Sequence, residues 1–160
     1  MAKLVIVVGL PGSGKTLHLP RFKREHNAEY LRDNFKEYAF RHSPWITYSR
    51  HYVDLICHLQ NGHNCVIADI DFCKNDAREE AVKAVTYHVP GVEIHWICFE
   101  NNPTQCRKNA VASKQKVEDK LAAIDAYTKL YTYPAGARPI PVGDGSTPEE
   151  TGGQRDEGSV

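Results

Sequence analysis

Residues 4–16 read LVIVVGLPGSGKT, and this stretch decides the fold that the sequence predicts. Its first five residues are all apolar, which is typical of a parallel strand buried on both faces. The next eight match G-x-x-x-x-G-K-[ST], the phosphate-binding P-loop, in which glycines let the backbone approach a phosphate chain closely. A helix is predicted directly after it, over residues 16–26. The strand before the loop and the helix after it are the context that this motif requires, so we expect a phosphate site here.

The last five residues of this loop have distinct roles in the predicted site. The backbone amides of Gly12, Ser13, Gly14, Lys15 and Thr16 lie at a helix N-terminus, where partial positive charge collects and a phosphate binds. The Lys15 ammonium would bridge the β- and γ-phosphates, and the Thr16 hydroxyl would ligate Mg²⁺. The alternative is a glycine turn that happens to contain a lysine. The predicted strand and helix on either side favour the P-loop.

Length and composition indicate one folded domain. The 160 residues are 41% hydrophobic and 25% charged, and the formal net charge is zero. The charges are unevenly spread, since residues 143–160 hold five acidic residues and one basic residue. We therefore expect a domain over residues 1–142 and a disordered acidic tail over residues 143–160. The zero net charge gives no global signal for a nucleic acid partner.

Several functional classes find no support in the sequence. No apolar run is long enough to cross a membrane, and we expect a cytoplasmic protein. The five cysteines are odd in number and lack C-x-x-C spacing, which favours small core residues of a reducing compartment. The eight histidines are scattered and do not predict a structural metal site.

The remaining pattern alternates strands with helices. Further strands are predicted over residues 28–31, 65–70, 92–99 and 138–142. Further helices are predicted over residues 33–40, 49–60, 77–87 and 114–131, with a short one from Pro103. This order predicts an α/β fold of the P-loop NTPase type: a mainly parallel sheet with helices on both faces and a short helical lid. Ligands of such sheets bind beyond the carboxyl ends of the strands.

Carboxylates follow two of the predicted strands. Asp69 lies at the end of strand 65–70, where a P-loop enzyme keeps the carboxylate that supports Mg²⁺; a solvated strand end is the alternative. Asp33 follows strand 28–31, and there it would accept a proton from an attacking hydroxyl. Capping of the next helix explains Asp33 equally well.

Basic residues complete the candidate site. Arg32 and Lys36 flank Asp33 and are predicted to bind a phosphate or the substrate. Arg107 and Lys114 lie in a basic stretch after the strand 92–99. A basic lid over a triphosphate would stabilise the charge that spreads in the transition state, and it would exclude water. A solvated basic helix face is the alternative.

With these residues in place, the chain from Met1 to about Tyr133 resembles the P-loop kinases of the polynucleotide 5′-hydroxyl kinase type. The resemblance rests on five segments: GLPGSGKT at 9–16, LRDNF at 31–35, IADIDF at 67–72 followed by ARE at 77–79, the run from FENNP to KN at 99–109, and IDAYTKLY at 124–131. It implies that Asp33 is the general base for a 5′-hydroxyl and that Lys36 lies near the acceptor phosphate. Zeta-toxin-like and small-molecule kinases share much of this pattern.

The chain departs from that family in the lid. The family's second lid arginine falls on Ala112, and its arginine-asparagine pair is Lys108-Asn109, with Arg107 one residue earlier. Lysine lacks the bidentate fork of arginine. The resemblance implies a kinase that uses ATP and Mg²⁺ and whose acceptor is the 5′-hydroxyl end of DNA or RNA. A small-molecule kinase and a nucleotide-binding module with little catalysis are the alternatives.

Overall fold

The computed structural model describes residues 1–35 and 50–145, and every structural statement below refers to these ranges. Four strands form one parallel sheet with the spatial order β2-β3-β1-β4: β1 (Lys3–Val8), β2 (Ala28–Arg32), β3 (Asn64–Ala68) and β4 (Glu93–Cys98). Five helices accompany them: α1 (Lys15–Glu25), α2 (Arg50–Gln60), α3 (Asn75–His88), α4 (Pro103–Ser113) and α5 (Val117–Thr128). The predicted α/β class is confirmed. No helix in the described ranges is long and apolar enough to cross a membrane.

Strand β1 lies inside the sheet and forms the centre of the core. Val5 pairs with Val66 of β3 on one side and with His95 of β4 on the other. The five consecutive residues from Leu4 to Val8 are fully buried. Successive side chains of a strand point to opposite faces, so both faces of β1 are covered. This explains why its sequence is a continuous apolar run rather than an alternating one.

Strand β3 ends two residues earlier than the sequence predicts. The predicted strand 65–70 stops at Ala68, and a short 3₁₀ turn, Ile70–Cys73, follows. The cause is local: the side chain of Asp69 accepts a hydrogen bond from the backbone N–H of Asp71 at 2.8 Å. An aspartate that bonds to nearby backbone in this way competes with continuation of the strand.

Two predicted elements after β4 also differ. Residues 138–142 do not form a full strand, and their sheet contact is a single bridge between Ile140 and Phe99. The helix predicted over 114–131 spans only Val117–Thr128. Its start is delayed because Lys114 and Lys116 have φ values of 58° and 48°, in the left-handed region that a helix does not use.

Two predicted segments lie mainly outside the described residues. Of the helix predicted over 33–40, only residues 33–35 are described, and they form a turn in which Asn34 has φ of 50°. Of the tail predicted over 143–160, only residues 143–145 are described. The division into a domain over residues 1–142 and a tail therefore stays a prediction.

Four of the five cysteines are buried, as the sequence predicts, and Cys57 is exposed. Burial raises the pKa of the Cys65 and Cys73 thiols from 9.0 to about 12, and that of Cys106 to about 11. The folded chain therefore keeps these thiol protons at a pH where the unfolded chain loses them.

We expect the free energy of unfolding to fall as the pH rises above about 9. Between pH 9 and the raised pKa values the unfolded state binds fewer thiol protons than the folded state, which favours unfolding by about 1 kcal/mol per pH unit and thiol. Urea unfolding at pH 8 and pH 10 measures this effect. The fall should be smaller in Cys65→Ala, which lacks one such thiol. A fall of the same size in Cys65→Ala would contradict the assignment to this thiol.

Arg78 connects helix α3 to two other parts of the chain through hydrogen bonds. Its guanidinium is buried and donates to the carbonyl oxygen of Phe72 at 2.7 Å, to that of Thr132 at 3.0 Å and to the Thr132 hydroxyl at 2.8 Å. This residue belongs to the ARE segment of the family resemblance, and here it joins α3 to the 3₁₀ turn and to the chain beyond α5.

Arg78→Met is expected to lower the free energy of unfolding by about 1–3 kcal/mol, because it leaves buried acceptors without donors. Chemical denaturation measures the loss. Lys83→Met is the matched control, since Lys83 is an exposed cation on the same helix. Equal stability of the two variants would show that the Arg78 contacts do not stabilise the fold.

Candidate functional site

The loop of residues 9–16 joins the carboxyl end of β1 to α1 and depends on glycine at particular positions. Gly14 is the N-cap of α1 with φ of 101°, and Gly12 has φ of 82°. Both values lie in the left-handed region that favours glycine. A Cβ atom on Gly12 would lie 2.4 Å from the carbonyl oxygen of Cys106. Helix α4 therefore packs directly against the loop, and only glycine fits at the contact.

Two polar side chains of the loop are buried. Ser13 is 2% exposed, and its hydroxyl occupies the space where a Cβ atom on Gly9 would lie, 2.4 Å away. Lys15, the first residue of α1, is 9% exposed. A largely buried ammonium at a helix N-terminus adds its charge to the partial positive charge of the backbone amides there. This end of α1 is suited to bind an anion.

The predicted metal ligand and the predicted base are in direct contact. The Thr16 hydroxyl donates a hydrogen bond of 2.7 Å to Oδ2 of Asp33. The other carboxylate oxygen, Oδ1, accepts from the backbone N–H of Asn34 at 2.8 Å. The contact joins the first turn of α1 to the chain directly after β2. It places a carboxylate beside the end of the loop that is predicted to bind phosphate.

Asp69 lies at the same edge of the sheet. It follows β3, the strand between β1 and β2, and its side chain is buried. The backbone N–H of Phe35 donates to the carbonyl oxygen of Ala68 at 3.0 Å, which draws the chain after β2 against the end of β3. Asp33 and Asp69 therefore follow the carboxyl ends of two neighbouring strands. The edge of the sheet that carries the 9–16 loop also carries both predicted carboxylates.

The oxygens of Thr16, Asp33 and Asp69 are hard donors of the kind that Mg²⁺ prefers. Within residues 1–35 and 50–145, no group of three or more histidine, cysteine or acidic side chains is arranged to hold a metal ion. Mg²⁺ usually keeps several waters and takes other ligands from substrate phosphates, so a complete protein cage is not required. The donor set fits Mg²⁺ bound together with a nucleotide.

The predicted substrate-binding residues flank Asp33 in the sequence. Arg32 is the last residue of β2 and is exposed beside Asp33. Lys36 lies outside the described residues. The assignment of both residues to the substrate stays a prediction.

The predicted lid, the basic stretch after β4, lies in the second half of α4 and in residues 114–116, and α5 follows it. Arg107 on α4 forms an exposed ion pair with Asp125 on α5. Lys114 is the C-cap of α4 and is exposed, and Ala112, two residues earlier, is exposed as well. In this arrangement Arg107 connects the two helices. The roles of Arg107 and Lys114 over a γ-phosphate stay predictions.

Two contacts near the site were missed by the sequence reasoning. The Asn109 side-chain amide donates to the carbonyl oxygen of Gly12 at 2.8 Å. The Lys108-Asn109 pair was the available signal, but a pattern of residues does not reveal a contact across 97 positions. The Tyr127 hydroxyl donates to Oδ1 of Asp71 at 3.2 Å and so links α5 to the 3₁₀ turn after Asp69.

Comparison with solved structures identifies the fold. A candidate kinase of Chloroflexus aurantiacus aligns with a TM-score of 0.57 and 17% identity, over 88% of this chain and 84% of that chain. A sugar kinase of Janibacter aligns with a TM-score of 0.51 and 17% identity, over 94% of this chain and 90% of that chain. The fold is P-loop NTPase-like. At these identities the alignments show the architecture alone, and the chemistry has to be argued from the residues.

Comparison with sequences adds one viral relative. An uncharacterized protein of Acanthamoeba polyphaga mimivirus, R277, is 26% identical over 130 residues, which cover 81% of this chain and 86% of that protein. No protein-family model matches the chain. The relative shares most of its length with this chain, and its name assigns no activity.

Proposed function

We propose that this protein is a kinase that uses ATP and Mg²⁺ and transfers the γ-phosphoryl group to the 5′-hydroxyl end of DNA or RNA. The observation that carries the proposal is the 2.7 Å hydrogen bond from Thr16 to Asp33, because it places a candidate base beside the predicted metal ligand. The kinase-like structural neighbours support phosphoryl transfer. The choice of a 5′-hydroxyl acceptor rests on the resemblance of residues 31–35 to the segment that holds the base in the polynucleotide kinases.

In the proposed reaction the acceptor hydroxyl oxygen attacks the γ-phosphorus. A bond forms between these two atoms, and the bond from the γ-phosphorus to the β–γ bridging oxygen breaks, so that ADP leaves with the electron pair. The carboxylate of Asp33 takes the proton of the acceptor hydroxyl. Lys15 binds the β- and γ-phosphates and stabilises the negative charge that grows on the leaving oxygen.

Thr16 would hold Mg²⁺ and Asp69 would support it, and the bound ion would neutralise charge on the phosphate oxygens. The Thr16 hydroxyl already donates its single proton to Asp33. A hydroxyl also has two lone pairs, so a contact with a cation is compatible with this hydrogen bond. We infer that Thr16 fixes the position of Asp33 relative to the phosphates.

We place Arg107 and Lys114 over the γ-phosphate when nucleotide is bound, and Arg32 and Lys36 at the acceptor. The ion pair between Arg107 and Asp125 is exposed. Exposed ion pairs contribute about 1 kcal/mol or less, so this pair would oppose a movement of Arg107 toward the nucleotide only weakly.

A small molecule with a hydroxyl group is the second candidate acceptor. The Janibacter neighbour is a sugar kinase, and the alignment covers 90% of its length. The zero net charge of the present chain also gives no general attraction to a nucleic acid.

Transfer of labelled γ-phosphate from ATP distinguishes the acceptors. The panel contains single-stranded DNA and RNA with a 5′-hydroxyl, the same strands with a 5′-phosphate as matched controls, and a set of monosaccharides and nucleosides. We expect label on the 5′-hydroxyl strands alone. Label on a monosaccharide or nucleoside alone would establish the second candidate. Bound ATP without transfer to any acceptor would contradict kinase activity and favour a nucleotide-binding module.

A further inference from the structure

The side-chain amide of Asn109 on α4 connects three separate parts of the chain. Its nitrogen donates one hydrogen bond to the carbonyl oxygen of Gly12 and one to that of Gly143, both at 2.8 Å. Its oxygen accepts from the side-chain amide of Gln105 at 3.0 Å. Both amide protons and the amide oxygen are therefore engaged.

These partners fix the orientation of the Asn109 amide. A rotation by 180° would place its oxygen against the carbonyl oxygens of Gly12 and Gly143, which have no proton to donate. The helix that carries Asn109 is also held close to the loop, because the carbonyl oxygen of Cys106 lies 2.4 Å from where a Gly12 Cβ would be. The packing of α4 against the loop therefore keeps Asn109 in contact with it.

The glycines of the 9–16 loop make its peptide planes easy to rotate, and a contact such as that of Asn109 opposes this rotation. A peptide plane carries its C=O and N–H on opposite sides, so a flip of the plane after Gly12 would exchange their directions. Glycine itself offers little resistance to such a flip, since it occupies positive and negative φ almost equally well. The Ser13 N–H on this plane donates to the carbonyl oxygen of Leu10 at 3.0 Å, so the plane is held by this bond and by the bond to Asn109. A carbonyl oxygen turned toward a phosphate would repel it, whereas amide N–H groups bind it.

We propose that Asn109 is a positioning residue for nucleotide phosphates: by holding the Gly12 carbonyl toward α4, it keeps this carbonyl oxygen from turning toward the phosphate site. This inference rests on the proposed function only in that the loop binds a nucleoside triphosphate. The bond to Gly143 has a supporting effect, because it opposes rotation of the Asn109 side chain away from Gly12.

Nucleotide binding to Asn109 variants tests the inference. The dissociation constants of ATP and AMP are measured for wild-type protein, Asn109→Ala and Asn109→Asp. We expect the ATP constant to rise about 10-fold in Asn109→Ala, in which the hydrogen bond is lost. We expect a rise of about 100-fold in Asn109→Asp, in which a carboxylate faces carbonyl oxygens. AMP lacks the β-phosphate and makes fewer contacts with the loop amides, so its constant should rise less than that of ATP.

The matched controls are Thr104→Ala and Thr104→Asp. Thr104 is exposed on the same helix and takes no part in the hydrogen bonds of the Asn109 amide, and its aspartate variant introduces a carboxylate on α4. We expect ATP constants within about threefold of wild type in both. A loss in Thr104→Asp as large as that in Asn109→Asp would assign the effect to charge alone and overturn the inference.

Circular dichroism establishes that each variant is folded under the binding conditions. If Asn109→Asp does not fold, Asn109→Ala decides the matter, because it introduces no charge. An equal rise in the dissociation constants of ATP and AMP in Asn109→Ala would overturn the positioning role. An ATP dissociation constant within twofold of wild type in this variant would overturn it as well. Wild-type protein that binds ATP no better than AMP would instead overturn the proposed triphosphate site, and the inference with it.

Discussion

Asp33→Asn is expected to lower phosphoryl transfer by about 10²–10⁴-fold, the usual contribution of a general base, while ATP binds with unchanged affinity. Asparagine keeps the shape of the side chain and one acceptor oxygen, so it retains one of the two hydrogen bonds from the Thr16 hydroxyl and the Asn34 N–H, but it cannot take a proton from the acceptor. Initial rates of transfer and the dissociation constant of ATP are measured side by side. The expected result is a fall in kcat without a matching change in ATP affinity.

Two further variants separate the base from other effects. Asp33→Ala also removes the acceptor for the Thr16 hydroxyl. It should therefore lose phosphoryl transfer and, in addition, show a transfer rate that responds more weakly to Mg²⁺. Glu29→Gln neutralises an exposed carboxylate on the same strand and should leave the rate unchanged. Transfer by Asp33→Asn within about threefold of wild type would rule out Asp33 as the base.

Lys15→Met is expected to weaken ATP binding and to lower transfer by about 10³-fold. The Lys15 side chain is largely buried at the start of α1, where methionine fills a similar volume without the charge. The phosphates then lose the ammonium that stabilises the leaving oxygen. Transfer rates and ATP affinity measure both effects.

Lys23→Met is the control for the loss of a lysine from the same helix, because Lys23 is exposed in the last turn of α1. It should bind and turn over ATP as the wild type does. A Lys15→Met protein that retains a tenth or more of the wild-type rate would contradict the role of Lys15.

Local features of the sequence predicted much of the fold. Strand β1 spans Lys3–Val8 and contains the whole apolar run 4–8, because five consecutive apolar residues specify a strand buried on both faces. The helix from Pro103 was predicted because proline is well tolerated in the first turn of a helix, and Asn102 caps it by accepting from the Gln105 N–H. Both signals act over a few residues.

Elements that depend on side-chain or long-range contacts were predicted less well. The end of β3 was placed too late because the Asp69 side chain bonds to the Asp71 N–H, a contact that periodicity does not reveal. The strand predicted over 138–142 is reduced to one bridge at Ile140, because its pairing depends on where the chain returns to the sheet. Apolar pattern alone does not contain that information.

The candidate site shows the same difference between features that depend on local sequence and features that depend on long-range contacts. The spacing of residues 9–16 predicts a phosphate-binding loop, because phosphate binding requires glycines and a lysine at fixed offsets. The contact between Thr16 and Asp33 depends instead on the strand order β2-β3-β1-β4, which brings the end of β2 to the edge that carries the loop. The Arg107–Asp125 ion pair likewise depends on how α4 packs against α5.

The most direct test of the proposed mechanism is a single-turnover assay. Labelled ATP, Mg²⁺ and a single-stranded oligonucleotide with a 5′-hydroxyl are mixed with excess wild-type protein or Asp33→Asn, and the label on the strand is followed with time. The mechanism predicts rapid labelling by the wild type and labelling about 10²–10⁴-fold slower by the variant, with ATP bound equally by both. Labelling at the same rate by both proteins, or no labelling by wild-type protein that has bound ATP, would contradict it.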